Sequence, residues 1–268
     1  MSGPTAHDLA VRWAERLAGW GIPDHVIAAA PESPWFHDPA TFAVDDAMPT
    51  DTPSYRAARS ALGDGGTVID VGVGGGRSSL GLAPAATHVT GVDSSEAMLE
   101  RFDAAATSRG VAHRLVRGTW PSAASAAGVA DVVICHHVLY NASDILDFIR
   151  ALTESARRRV VVELTESHPQ SRMNDAWLRF HGLRRPDGPT AEDAVDLVRS
   201  LGMDVAVERS ARSFGTAALD PATQAPLVRR SLCLSPADDD AVAAFLAEHP
   251  LPFRRPVVTL FWPGAAGR

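Results

Sequence analysis

Residues Thr67-Val68-Ile69-Asp70-Val71-Gly72-Val73-Gly74-Gly75-Gly76-Arg77 join a short apolar run to an acid and then to four glycines in five residues. A run rich in β-branched residues that stops at glycine predicts a buried strand with a sharp turn at its carboxyl end. The glycines admit φ > 0 and leave the backbone open to a ligand that a Cβ would screen. A helical pattern follows over about 78–82, which would aim free N–H groups and a positive dipole end at the same spot. Strand, glycine turn and helix in that order open the ligand site of a doubly wound α/β protein.

The glycine spacing sorts the ligands. A dinucleotide fingerprint needs G-x-G-x-x-G. Gly72, Gly74 and Gly76 instead follow G-x-G-x-G, and Arg77 occupies the third dinucleotide position. No G-K-[ST] follows, which excludes a Walker loop. A second run, 88–92, ends in Asp93, 23 residues beyond Asp70, and Ser94-Ser95-Glu96 opens a helix with serine as N-cap. An acid at the end of the second strand is placed to accept hydrogen bonds from ribose hydroxyls.

The pattern D-x-G-x-G-x-G over residues 70–76 resembles motif I of the class I S-adenosylmethionine (AdoMet) methyltransferases. The resemblance covers about 61–268. It implies an α/β fold: a Rossmann-like, doubly wound, mostly parallel sheet of about seven strands, ordered 3-2-1-4-5-7-6 with the seventh antiparallel. It implies AdoMet as cofactor and S-adenosylhomocysteine as product. The implied cofactor-binding residues are Asp70, Gly72, Gly74, Gly76, Asp93, Ser94, Thr119, Trp120 and Cys135. In the family an acid often stands where Thr119 stands here, so Trp120 or backbone groups would contact the adenine instead.

Alternation beyond the motif supports the same sheet. Strands are expected at 67–71, 88–92, 112–116, 131–135, 159–164, 202–208 and 256–262, with helical patterns at about 95–107, 143–156 and 190–201. Residues 1–60 form an N-terminal helical addition, a lid in which Trp13, Trp35, Phe36 and Tyr55 would wall the pocket. Residues 61–268 form the core domain, with a helical insertion at about 212–255.

The fourth expected strand ends in Cys135-His136-His137. Neutral imidazole suits removal of a proton from a hydroxyl. Neighbours on an extended strand face opposite sides, so only one is expected at the cleft. His137 is the expected base and His136 the other catalytic candidate. No metal-ligand spacing accompanies them, and no metal is expected. Beyond the fifth strand, Glu166 and His168 would reach the cleft edge, and Trp177, Phe180, His181, Arg184 and Arg185 are candidates for its lining.

A net charge of −7 argues against a phosphate-tracking nucleic-acid binder. Neither [DN]-P-P-[YF] nor Pro-Cys stands at the fourth strand end, which points away from nucleic-acid and amide acceptors. Cys135 and Cys233 lie in apolar runs, as free thiols do. No run has membrane-span length and the N-terminus lacks a signal-peptide core, so a cytoplasmic protein is expected. The oligomeric state is open. The function expected is methyl transfer to a small-molecule acceptor, foremost to oxygen, by in-line SN2 displacement. The alternatives are an AdoMet-binding regulatory or scaffold protein without turnover, and an NAD(P)-dependent oxidoreductase. Arg77 and the missing Tyr-x-x-x-Lys pair stand against the latter.

Overall fold

The computed structural model describes residues 3–34, 50–213 and 220–265. Seven strands form one sheet in the order β3-β2-β1-β4-β5-β7-β6. They are β1 Gly66–Val71, β2 Ala86–Asp93, β3 His113–Arg117, β4 Ala130–His136, β5 Ala156–Thr165, β6 Ala206–Ser213 and β7 Arg254–Pro263. The first five run parallel, and β7 is antiparallel to both β5 and β6. This is the Rossmann-like sheet implied by the resemblance.

Central strands are apolar on both sides because helices cover both faces of the sheet. Val71, Val133, Cys135 and Val162 face one layer, made by α1 (Ala6–Ala18), α6 (Ile145–Glu154) and α8 (Ala191–Ser200). Val68, Ile134 and Val161 face the other, made by α3 (Pro53–Leu62) and α4 (Glu96–Ser108). A third apolar cluster joins α2 (Asp24–Ala29), α7 (Asn174–His181), α9 (Pro221–Ser231) and α10 (Asp239–Glu248). The last two lie between β6 and β7. The short α5 (Ala124–Ala127) precedes β4. Among the described residues no helix is long and apolar enough to cross a membrane.

Three local expectations are corrected. The helix at 78–82 shrinks to a single 3-10 turn, Leu80–Leu82. Pro84 follows, and a residue before proline is pushed out of the helical region, so no helix dipole serves the glycine turn. The sixth strand runs over Ala206–Ser213 rather than 202–208. Met203 packs into the core and receives the Thr153 hydroxyl at 3.4 Å, so the apolar part of that run is spent before pairing begins. Residues 174–181, where no helix is expected, form α7, which Gly182 ends in the left-handed conformation.

Candidate active site and family

A cavity of about 850 Å³ opens beyond the carboxyl ends of the parallel strands. One half is the glycine turn. Gly72, Gly74 and Gly76 all have positive φ, at 73°, 52° and 86°. A Cβ on Gly72 would stand 2.3 Å from Val138, and one on Gly76 would stand 2.6 Å from Phe102. A Cβ on Gly74 would meet nothing within 4 Å. The outer two glycines therefore permit close packing, while Gly74 presents bare backbone to the cavity. Asp93 holds this turn to the next helix: its carboxylate accepts from the Gly74 N–H at 3.0 Å and from the Ser95 N–H at 2.9 Å. Each oxygen keeps a second lone pair. Ser95, rather than Ser94, caps α4.

Of the nine residues expected at the cofactor, Gly72, Gly74, Asp93, Ser94, Thr119 and Trp120 line the cavity. Trp120 donates from its indole N–H to the Phe148 carbonyl at 3.3 Å. Asp70, Gly76 and Cys135 lie behind the wall. Asp70 is 1% exposed, and its Oδ2 has no hydrogen-bond partner among the described residues. Burial pushes its carboxyl up to about 7, against the pull of the Ser79 hydroxyl and with the help of the Asp93 charge. Cys135 is paired beside Val71 and fully buried, and burial raises its thiol well above the usual range.

The other half is made of charged side chains. His137 does not continue the strand: its φ is +61°. A residue with a Cβ rarely adopts that region. Its N–H donates to the Glu163 carbonyl at 2.7 Å, which helps hold the turn. The expectation that only one histidine reaches the cleft fails for this reason, and both His136 and His137 line the cavity.

Glu163, overlooked as a site residue, organises this half. It is fully buried on β5. Its Oε2 accepts from the Ser54 hydroxyl at 2.6 Å, its Oε1 accepts from Arg212, and the His137 Nε2 lies 3.3 Å from that same Oε1. Burial alone would raise its pKa. The His137 hydrogen bond and the charges of His136 and Arg212 outweigh burial and hold the carboxyl well below the usual range. The sequence signal was a lone acid within Val160-Val161-Val162-Glu163-Leu164, since a charge in a buried strand requires partners.

Burial also pushes His136 down to about 4, with the nearby Glu163 charge opposing. It is neutral near pH 7, and its Nε2 has no partner among the described residues. His168 lines the cavity and stacks on Trp20 with centroids 4.0 Å apart. Its Nδ1 accepts from the Gln170 N–H at 3.3 Å. Burial, and then the Arg185 charge, push it down to about 4.

Glu166 and Arg184 are exposed and stand off the cavity wall. Trp177 is buried in the third cluster, His181 bonds the Leu232 carbonyl, Phe180 packs on Phe245, and Arg185 lies over Trp20 and Trp177. Trp13 is buried in the core, bonding the Ala142 carbonyl at 2.8 Å. Tyr55 lines the cavity, and Trp35 and Phe36 lie outside the described residues.

Residues 68–159 match the family model for a methyltransferase domain. No curated protein matches the chain. Several solved structures share its fold. YcgJ from Bacillus subtilis is 16% identical, with 76% of this chain and 98% of that one covered and a TM-score of 0.53. A SAM-dependent methyltransferase from Geobacter sulfurreducens, in complex with S-adenosyl-L-homocysteine, is 19% identical, with 84% and 98% covered and a TM-score of 0.53. Magnesium protoporphyrin IX methyltransferase (ChlM) from Synechocystis PCC 6803, with bound SAH, is 19% identical, with 79% of each chain covered and a TM-score of 0.50. The matched stretch takes in the D-x-G-x-G-x-G turn and the strands from β1 to the start of β5, so this part of the chain is similar to a methyltransferase domain and the whole shares the fold of these structures.

Proposed function

We propose that the protein methylates an oxygen of a small-molecule acceptor, with His137 as general base. When bound, S-adenosylmethionine supplies a methyl group already activated on a sulfonium. The protein's tasks are then alignment, exclusion of water and disposal of the acceptor's proton. The glycine turn fits such a cofactor: Gly74 is open, and Asp93 keeps lone pairs for ribose hydroxyls. Trp120 would flank the adenine, with Ser94 and Thr119 beside it. Asp70 and Cys135 would act from behind, shaping the turn. A cavity of about 850 Å³ lies within the range of small-molecule sites.

The observation that carries the proposal is the pairing of His137, on the cavity wall, with the buried Glu163 behind it at 3.3 Å. A carboxylate facing Nε2 favours the tautomer with its proton there, leaving the other ring nitrogen to take a proton. The same carboxylate stabilises the imidazolium that results. His136 is half-buried and its protonated form is disfavoured, so it suits a structural role. The first turn of α3 brings Thr52, Ser54 and Tyr55 to the cavity, and the N-terminal region would close the acceptor side through it.

The test is release of S-adenosylhomocysteine with a panel of hydroxyl acceptors. His137→Ala is expected to lower kcat by about 10²–10⁴-fold with little change in AdoMet affinity, and to flatten the acidic limb of the rate profile. His136→Ala is expected to lower stability more than kcat. Wild-type kcat in both variants would leave alignment as the whole of catalysis and sink the role of His137.

A further inference from the structure

We propose that the methyl acceptor is an acid, held through a carboxylate or phosphate group by Arg172 and Arg255; this deepens the proposed function and rests on it. Among the described residues the cavity wall carries four arginines, Arg77, Arg172, Arg212 and Arg255, and one carboxylate, Asp93. Asp93 already serves the glycine turn. Arg212 is neutralised by Glu163. Arg77 lies on the glycine turn, on the cofactor side. Among the described residues the acceptor-side arginine without a counter-charge is therefore Arg172, and Arg255 stands beside it.

These two occupy one corner. Arg172 sits in the 3-10 turn Pro169–Met173 that follows β5. Arg255 sits at the start of β7, paired in register with Arg212, and its Nη1 reaches the Pro169 carbonyl of that same turn at 3.4 Å. Arg172 is partly buried, and among the described residues its guanidinium has no hydrogen-bond or ion-pair partner. Burial lowers both guanidinium pKa values, and the Arg172 charge lowers that of Arg255 further, to about 10. Two desolvated cations side by side, one without a counter-charge, form a costly arrangement for an apoprotein. An oxyanion relieves it, because each guanidinium offers a planar fork of donors that matches carboxylate or phosphate. A neutral acceptor would leave Arg172 unpaired.

The experiment is a thermal-shift titration of the full-length protein with benzoate, inorganic phosphate and neutral benzamide, at constant ionic strength in chloride, with and without S-adenosylhomocysteine. Benzoate or phosphate is expected to raise Tm saturably in the millimolar range, and benzamide is not. Which acid acts identifies carboxylate or phosphate as the group recognised. Arg172→Gln is expected to weaken that response at least tenfold, to raise Tm without ligand by removing an unpaired charge, and to leave S-adenosylhomocysteine affinity unchanged. Arg255→Lys is expected to weaken the response with the fold retained.

The inference is overturned if neither acid exceeds chloride, or if Arg172→Gln responds like wild type. A tenfold loss of S-adenosylhomocysteine affinity in Arg172→Gln also overturns it, since the guanidinium would then serve the cofactor's own carboxylate. Failure of the protein to bind S-adenosylhomocysteine at all would strike the proposed function instead, while the titration without it still judges the arginine pair.

Discussion

Along one half of the cavity, proposed for the cofactor, the wall is built on the Gly72–Gly75 turn and the loops after β2 and β3. Along the other half, proposed for the acceptor, it is lined by the side chains of Ser54, His137, Arg172, Arg212 and Arg255, with Glu163 buried behind them. The first half has one carboxylate bridging two backbone N–H groups, Gly74 and Ser95. The second has a buried carboxylate ringed by a hydroxyl, an imidazole and a guanidinium. Backbone sites fail when a Cβ is added, whereas buried ionic sites fail when one partner is removed. The two halves should therefore respond to different kinds of change.

The largest effect is expected at Glu163. Glu163→Ala leaves the half-buried Arg212 without its counter-charge and the Ser54 hydroxyl without its acceptor, and should cost about 3–5 kcal/mol in urea unfolding. The folded pKa of Glu163 lies below its unfolded value, so its stabilisation is complete above about pH 5 and is lost as pH falls. A loss below about 1 kcal/mol would mean that the network is no more than a surface-type pair.

Acid and base separate the halves next. Asp70 on the cofactor side has a folded pKa raised from 3.8 to about 7. The stability it contributes is full below about pH 4 and lost as pH rises through 7. Relative to Asp70→Asn, wild type should lose on the order of 4 kcal/mol between pH 4 and pH 8. His136 and His168 on the acceptor side run the other way. Their pKa values fall from 6.5 to about 4, so their stability is full above pH 6.5 and lost as pH falls toward 4. Parallel pH curves for wild type and Asp70→Asn would remove the contrast.

Within the glycine turn, Gly72→Ala drives a Cβ into Val138 at positive φ and should cost about 2–3 kcal/mol of stability. Gly74→Ala meets open space, so only its φ opposes it, for about 1 kcal/mol, while calorimetry should show S-adenosylhomocysteine affinity falling. Equal stability losses would show that the turn has no ligand-facing side. Asp93→Ala is expected to cost about 1–2 kcal/mol of S-adenosylhomocysteine affinity through lost hydroxyl hydrogen bonds.

The glycine turn and Asp93 were legible as one wall of a cavity because these residues are close in sequence. A strand, a glycine turn and an acid at the next strand's end leave a pattern readable over two dozen residues. His137 was legible as a residue type, although its geometry was not. Strand alternation predicted a single histidine at the cleft, and one left-handed residue turned the chain so that both line it. Glu163 carried a signal that passed unread, an acid in an apolar strand. Arg172 and Arg255 carried none, since an arginine in a loop and another at a strand start look like solvated surface.

The sequence by itself determined the sheet class, the strand count, the glycine turn and Asp93, because strand period, turn chemistry and cofactor spacing are local properties of a chain. The strand order 3-2-1-4-5-7-6 was implied by the resemblance and is the order found, while tertiary structure alone decided the fate of the 78–82 segment and the composition of the acceptor half. β7 inserts between β5 and β6, and that topology brings Arg212 to Glu163 and Arg255 to the turn after β5. Contacts between residues separated by tens of positions depend on which strands become neighbours. Burial then sets the charge state of Glu163, His136 and Asp70, and burial is a property of the packed molecule rather than of any segment in it.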